Sequence, residues 1–181
     1  MTRRHRPQLR SRQRGAILII SLLLLVVLTV LGITTMRTSG LQERMAGNTR
    51  DLNLALQGAE AGLRDGENLI RVQVSRPVAT AGAGCVFCQR GALPIAIADE
   101  TVFDWANEAQ EFGTAGARDL MANQLDEDPR YVVEESAFVR DSLVIGQEAT
   151  EGRDFYQVTA RSTGASGMAN TVLQSTYTRR Y

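Results

Sequence analysis

Apolar and polar positions are unevenly distributed along this chain. Residues Ala16 to Ile33 read AILIISLLLLVVLTVLGI, and Thr34, Thr35 and Met36 extend the uncharged stretch to 21 residues before Arg37. About 20 apolar residues at 1.5 Å each cross the hydrocarbon core of a bilayer. A run apolar on every side suits a membrane span better than the single buried face a soluble domain asks of a helix. Beyond it the pattern becomes periodic. Met45, Leu52, Leu56, Ala59, Leu63, Ile70 and Val74 fall at separations of 7, 4, 3, 4, 7 and 4, a helical stripe near the heptad period. Glu43, Arg44, Arg50, Asp51, Glu60, Arg64, Asp65 and Glu67 occupy the other faces. No proline interrupts Ala16 to Arg76, and Pro77 with Gly82 and Gly84 stops the pattern. One helix of about 60 residues is predicted, roughly 90 Å long. Its stripe from Leu52 to Val74 is expected to pack on the protein's own sheet. Gly40, Gly47, Gly58, Gly62 and Gly66 weaken the helix locally or permit bending and close packing.

After Pro77 the pattern is mixed. VATAGAG and CVFC read as loop, and Phe103–Glu111 and Ala117–Asp126 as short helices. Three strand-like runs follow: Tyr131–Val139, Phe155–Ser162 and Ala169–Thr178. In the second, Tyr156, Val158 and Ala160 share one face. TGASGM joins the last two runs as a hairpin loop. An antiparallel sheet against the amphipathic half of the helix would bury both apolar faces. The expected fold class is α+β: a long N-terminal helix packed on a C-terminal antiparallel sheet.

Charge sets the orientation. Formal net charge is zero, yet Arg3, Arg4, Arg6, Arg10, Arg12 and Arg14 precede Gly15 without an acid among them. The remainder carries 14 basic against 20 acidic residues, near −6. An acidic body excludes nucleic acid as the main partner, since phosphate binding needs a basic face. Basic residues before the apolar run place the N-terminus in the cytoplasm and the rest across the membrane. A secretory signal peptide fits poorly, because the run is longer than an h-region and no small-x-small site follows it. An ordinary single-span anchor leaves Gly15 unexplained.

A basic leader, then Gly15, then the small residue Ala16 opening an apolar helix resembles the cleavage pattern of type IV prepilins. The stretch RQRGAILIISLLLLVVLTVLGITTMRTSGLQERMAGNTRDLNLALQGAEAGLRDGE, Arg12 to Glu67, is similar to the N-terminal region of PilX-type minor pilins, with MRTS, ERMAGN and AEAGLR contributing most of the likeness. FYQVTARSTGASGMANTVLQSTYTRR, Phe155 to Arg180, resembles the end of that family. The resemblance implies a pilin fold, cleavage between Gly15 and Ala16 by prepilin peptidase, and N-methylation of Ala16. It also implies partnership with other minor pilins and the major pilin in a complex that primes assembly, with a large tip adhesin as associate. Four parts follow: a leader (residues 1–15), a transmembrane half-helix (Ala16 to Met36), an amphipathic half (37–76) and a periplasmic domain (77–181). Major pilins carry Phe where Ala16 stands and Glu where Ile20 stands. Lacking that carboxylate, the subunit need not find a neighbour ahead of it, which suits a tip or priming position. The minor pseudopilin of type II secretion lacks it too, so that machine remains an alternative.

Cys85 and Cys88 fall on the exported side, where disulfides persist. A redox-active CxxC needs a helix N-terminus beside it, and a zinc site needs a second pair of ligands. A local disulfide is the reading preferred, with a membrane-anchored thiol–disulfide protein as the rival. Asp126, Glu127 and Asp128 lack the alternate spacing of a calcium loop and read as a solvated turn before Pro129. Trp105 beside Phe103 reads as core. His5, in the leader, is the only histidine, so no Ser/His/Asp set exists in the exported part. The expectation is a non-enzyme without cofactor or metal.

Overall fold

The computed structural model describes residues 15–82, 84–97, 99, 101–113, 124–141 and 152–181. Contacts divide the chain into two units, Met1–Ala46 and Gly47–Tyr181. The elements run α1 (Ala16–Val72), α2 (Trp105–Glu108), β1 (Gln110–Glu111), β2 (Arg130–Arg140), β3 (Gly152–Thr163) and β4 (Asn170–Arg179). The strands form one antiparallel sheet in the order β1-β2-β3-β4.

Within the second unit, α1 meets the sheet through its small residues. Ala55, Gly58, Ala59, Gly62, Gly66 and Ile70 are buried, along with Asp65. The sheet supplies the bulk opposite them: Tyr131 and Val133 from β2, and Tyr156, Val158 and Ala160 from β3. A Cβ added at Gly62 would lie 3.2 Å from Ala160 Cβ, and one at Gly66 only 2.6 Å from Val158 Cγ1. Half of the stripe expected to be core, Leu52 to Val74, is outside. Leu52, Leu56 and Val74 are exposed, whereas Ala59, Leu63 and Ile70 are buried or packed against the sheet. The physical reason is volume: two tyrosine rings and Phe87 already fill the interface, so the helix face meeting them must be small.

The helix stops at Val72, four residues before the expected Arg76. The Arg179 guanidinium of β4 donates to the carbonyls of Ile70 and Gln73, and the Gln73 amide side chain donates to Leu69 O at 3.2 Å. These donors satisfy carbonyls a helix end leaves open, and a cation there favours the dipole. Ser175 Oγ donates to Glu67 at 2.9 Å, tying the same strand to the last turns. At the other end of β4, the hairpin tip docks on the helix: Ser166 N and Oγ donate to Asp51. These bonds, the hydroxyl's first, hold the Asp51 carboxyl below the usual carboxylate range.

The three strand-like runs are strands, and the TGASGM hairpin is present between Thr163 and Asn170, which pair. Tyr156, Val158 and Ala160 are all buried, as their alternation predicts. Only Trp105–Glu108 of the expected helix 103–111 is helical, capped by Asp104, and Gln110–Glu111 instead pair with β2. Most of the helix expected at Ala117–Asp126 lies outside the described residues; Asp126, Glu127 and Asp128 are exposed in a turn. Trp105 and Phe103 meet edge to face at 5.1 Å and cover Val132 on the other side of the sheet.

Candidate functional site

The residues Gly15 and Ala16, read from the sequence as a cleavage site, lie at the start of α1. Gly15 immediately precedes the helix with φ +129°, a conformation that side chains rarely adopt. Its carbonyl accepts from Leu18 N at 3.2 Å and Ile19 N at 3.5 Å, so it stands at the cap position, and nothing lies within 4 Å of where its Cβ would be. Ala16 is the first helical residue, and every residue from Gly15 to Arg50 is exposed. Among the described residues, nothing covers the peptide link between Gly15 and Ala16.

From Ala16 to Met36 the helix is uncharged and none of its apolar side chains is covered. Its hydroxyls are satisfied internally. Ser21 and Thr29 donate to carbonyls three residues back, and Thr34 and Thr35 to carbonyls four back, all at 2.8–2.9 Å. A helix that pairs its own backbone and hydroxyl groups is what hydrocarbon tolerates. Ile20 is 58% exposed within this surface, so α1 presents an apolar side chain there and no carboxylate. Gly32, Gly40 and Gly47 have nothing within 4 Å of an added Cβ. They are open notches, unlike Gly58, Gly62 and Gly66, which are filled by the sheet.

The cysteines belong to the second unit, Gly47–Tyr181. Cys85 and Cys88 form a disulfide with their Cα atoms 5.1 Å apart. Cys88 is fully buried and its backbone extends the sheet: Cys88 N donates to Val133 O and Glu135 N to Cys88 O, each at 2.8 Å. On its other side Thr80 N donates to Phe87 O at 2.8 Å and Gln89 N to Thr80 O at 3.0 Å. Phe87, inside the disulfide loop, packs edge to face on Tyr156 at 6.1 Å. The segment read as loop is therefore a pinned edge, and the disulfide holds Phe87 in the core. Closing so short a loop contributes about 2 kcal/mol through the unfolded chain. Cys88→Ser is expected to lower stability by about that much while leaving processing and assembly intact. A variant that melts like the parent but loses all function would instead mark an active thiol.

Two features escaped the sequence reading. Asp65 is 1% exposed on the small face of α1 and accepts from Gly113 N at 2.8 Å, which fastens the residues after β1 to the helix. Burial, and next the Asp65 charge, push the Tyr131 hydroxyl well above its ordinary range. A charged residue flanked by glycines at 62 and 66 was the available signal, hidden among the acids of the solvated faces.

An apolar N-terminal helix continuing into a segment that packs on a four-stranded antiparallel sheet defines a pilin-like subunit. The PilX N-terminal family model matches residues 14–64, and the model described as type IV pilus assembly protein PilX C-term matches residues 61–179. The chain belongs to the PilX family of type IV pilus assembly minor pilins. No curated protein and no solved structure matches it.

Proposed function

We propose that this minor pilin is a non-enzymatic, single-pass subunit of the inner membrane, cut between Gly15 and Ala16 by prepilin peptidase and methylated on Ala16. Its leader is cytoplasmic, Ala16 to Met36 spans the bilayer, and residues 37–181 are periplasmic until assembly. The exposed helix then associates laterally with other minor pilins and with the major pilin. The notches at Gly32, Gly40 and Gly47 allow close helix approach. Ile20 favours a priming or tip position, beneath a large adhesin, because no buried carboxylate demands a neighbour ahead.

One observation supports this reading above the others: the uncharged helix opens immediately after an unobstructed glycine that six arginines precede. Mass spectrometry of the protein recovered from membranes tests it. The expected N-terminal residue is Ala16, with a methyl group, in cells with active prepilin peptidase, and uncut protein in cells without it. A start at Met1 or Thr2 in peptidase-competent cells, or a cut beyond residue 36, would return the chain to an ordinary anchored or secreted protein.

A further inference from the structure

The geometry points to a binding site for the phosphodiester headgroup of an anionic membrane lipid, held by Arg37 and Arg44 over Gly40. It rests on reading Ala16 to Met36 as the membrane span. Met36, Arg37, Gly40, Leu41 and Arg44 line a shallow recess of about 400 Å³ on one face of α1. Residues 37 and 44 are two turns apart and so share that face with 40 and 41. Gly40 leaves the floor of the recess as bare backbone, with nothing within 4 Å of an added Cβ. Met36 and Leu41 are exposed and give the recess an apolar border. Among the described residues, no carboxylate pairs with either guanidinium. Glu43 is the only acid between Met36 and Asp51, and at about 100° per residue it points away from both arginines.

Position selects the lipid as occupant. Arg37 directly follows the last of the 21 uncharged residues, and the headgroup layer extends roughly 5–7 Å beyond the hydrocarbon on each side. Arg44 lies about 10 Å further along the axis. Side chains on a helix lean toward its N-terminus, which here is toward the membrane, and a long arginine stem reaches back to the interface. Both guanidinium groups therefore meet the headgroup layer from the periplasmic side. Such a clamp fixes the depth of the anchor. Twenty-one residues cover about 30 Å, so holding Arg37 at one interface sets the Gly15–Ala16 link at the other, where a membrane peptidase acts.

The test uses the full chain in nanodiscs of phosphatidylcholine with a minor share of phosphatidylglycerol, counting retained lipids by native mass spectrometry. Phosphatidylglycerol is expected to be enriched around the parent, by about fivefold for each arginine. The enrichment contributed by this face is lost in Arg37→Gln/Arg44→Gln and kept in Arg50→Gln, which lies beyond headgroup reach. The leader arginines contribute equally to all three proteins, so the difference between them reports on this face alone. Equal retention by the parent and the double variant overturns the proposal, and so does loss of the enrichment to glycerol phosphate added in solution, which would make the ligand a free phosphate. Resistance to alkaline carbonate extraction from vesicles is measured alongside. A chain that inserts without lipid preference sinks the headgroup site alone, whereas a chain that washes off sinks the span as well.

Discussion

Gly66→Leu is expected to destabilise the folded sheet unit severely, by about 3 kcal/mol or more against a typical total of 5–15 kcal/mol. Even a single added Cβ at this position would sit 2.6 Å from Val158 Cγ1 and 3.0 Å from Tyr131 Cδ2. Neither neighbour has room to yield, for both are fully buried, one a short branched side chain and the other a ring wedged between helix and sheet. Helix propensity pulls the other way by about 1 kcal/mol when glycine is replaced, so the steric term decides the sign. The neighbouring glycines grade the effect. Gly62→Ala meets only Ala160 Cβ at 3.2 Å and is expected to be mild, and Gly58→Ala meets Ser162 Cβ at 2.9 Å and Oγ closer still. Gly40→Ala and Gly47→Ala meet nothing and should stabilise the helix by about 1 kcal/mol. Thermal unfolding of the detergent-solubilised chain, followed by circular dichroism, ranks the five. An unchanged midpoint for Gly66→Leu would mean that helix and sheet do not approach so closely.

The same glycines explain what was legible in the sequence. The long helix and the three main strands follow from local patterns, because an uninterrupted apolar run and strict alternation leave few alternatives. The face that α1 turns to the sheet does not. Leu52 and Leu56 look like core and are mostly outside, while Gly58, Gly62 and Gly66 look like flaws and are the interface. Reading helix faces by side-chain size assumes the partner surface is flat, but Tyr131, Tyr156 and Phe87 project from the sheet side. Spacing still carried the information, since residues 55, 58, 59, 62, 66 and 70 recur at helical intervals. The helix end depended on Arg179, more than a hundred residues away, and no local signal at Val72 announces it. At the candidate site the order is reversed. Gly15, Ala16 and the uncharged run are sequence features, and the structure adds only that none of the described residues covers them. The disulfide pairing was readable from the CxxC spacing once the domain was read as exported, whereas its attachment to β2 was not, because a lone bridge between residue 88 and residue 134 has no periodicity to read.

Arg76→Ala is expected to make stability fall more steeply with rising pH than the parent's does. Just past the helix, Arg76 Nε lies 3.0 Å from Asp154 Oδ1, its terminal nitrogen pairs with Glu135, and its guanidinium sits 5.1 Å from the Phe138 ring centre. The Asp154 side chain is only 3% exposed. Burial already raises its carboxyl above the usual range, against the opposing pull of Arg76 and with a further push from Glu135. Removing the cation leaves two neighbouring carboxylates, one of them buried, with no compensating charge. Breaking a fully buried pair costs about 3–5 kcal/mol. Arg76 is half exposed, so solvent screens part of that and about 2 kcal/mol is expected near neutral pH. The sign follows from which state holds the proton more tightly. With its folded pKa above its unfolded value, Asp154 contributes stability that is full below the unfolded carboxylate pKa and is lost as pH rises through the folded one. Without Arg76 that folded pKa rises further, so the variant should match the parent near pH 4 and fall behind it toward pH 7. Melting temperatures of both proteins across this range test it, and adding Asp154→Asn to the variant should flatten the difference. A deficit that stays constant with pH would show that Arg76 acts through its packing on Phe138 rather than through the charge of Asp154.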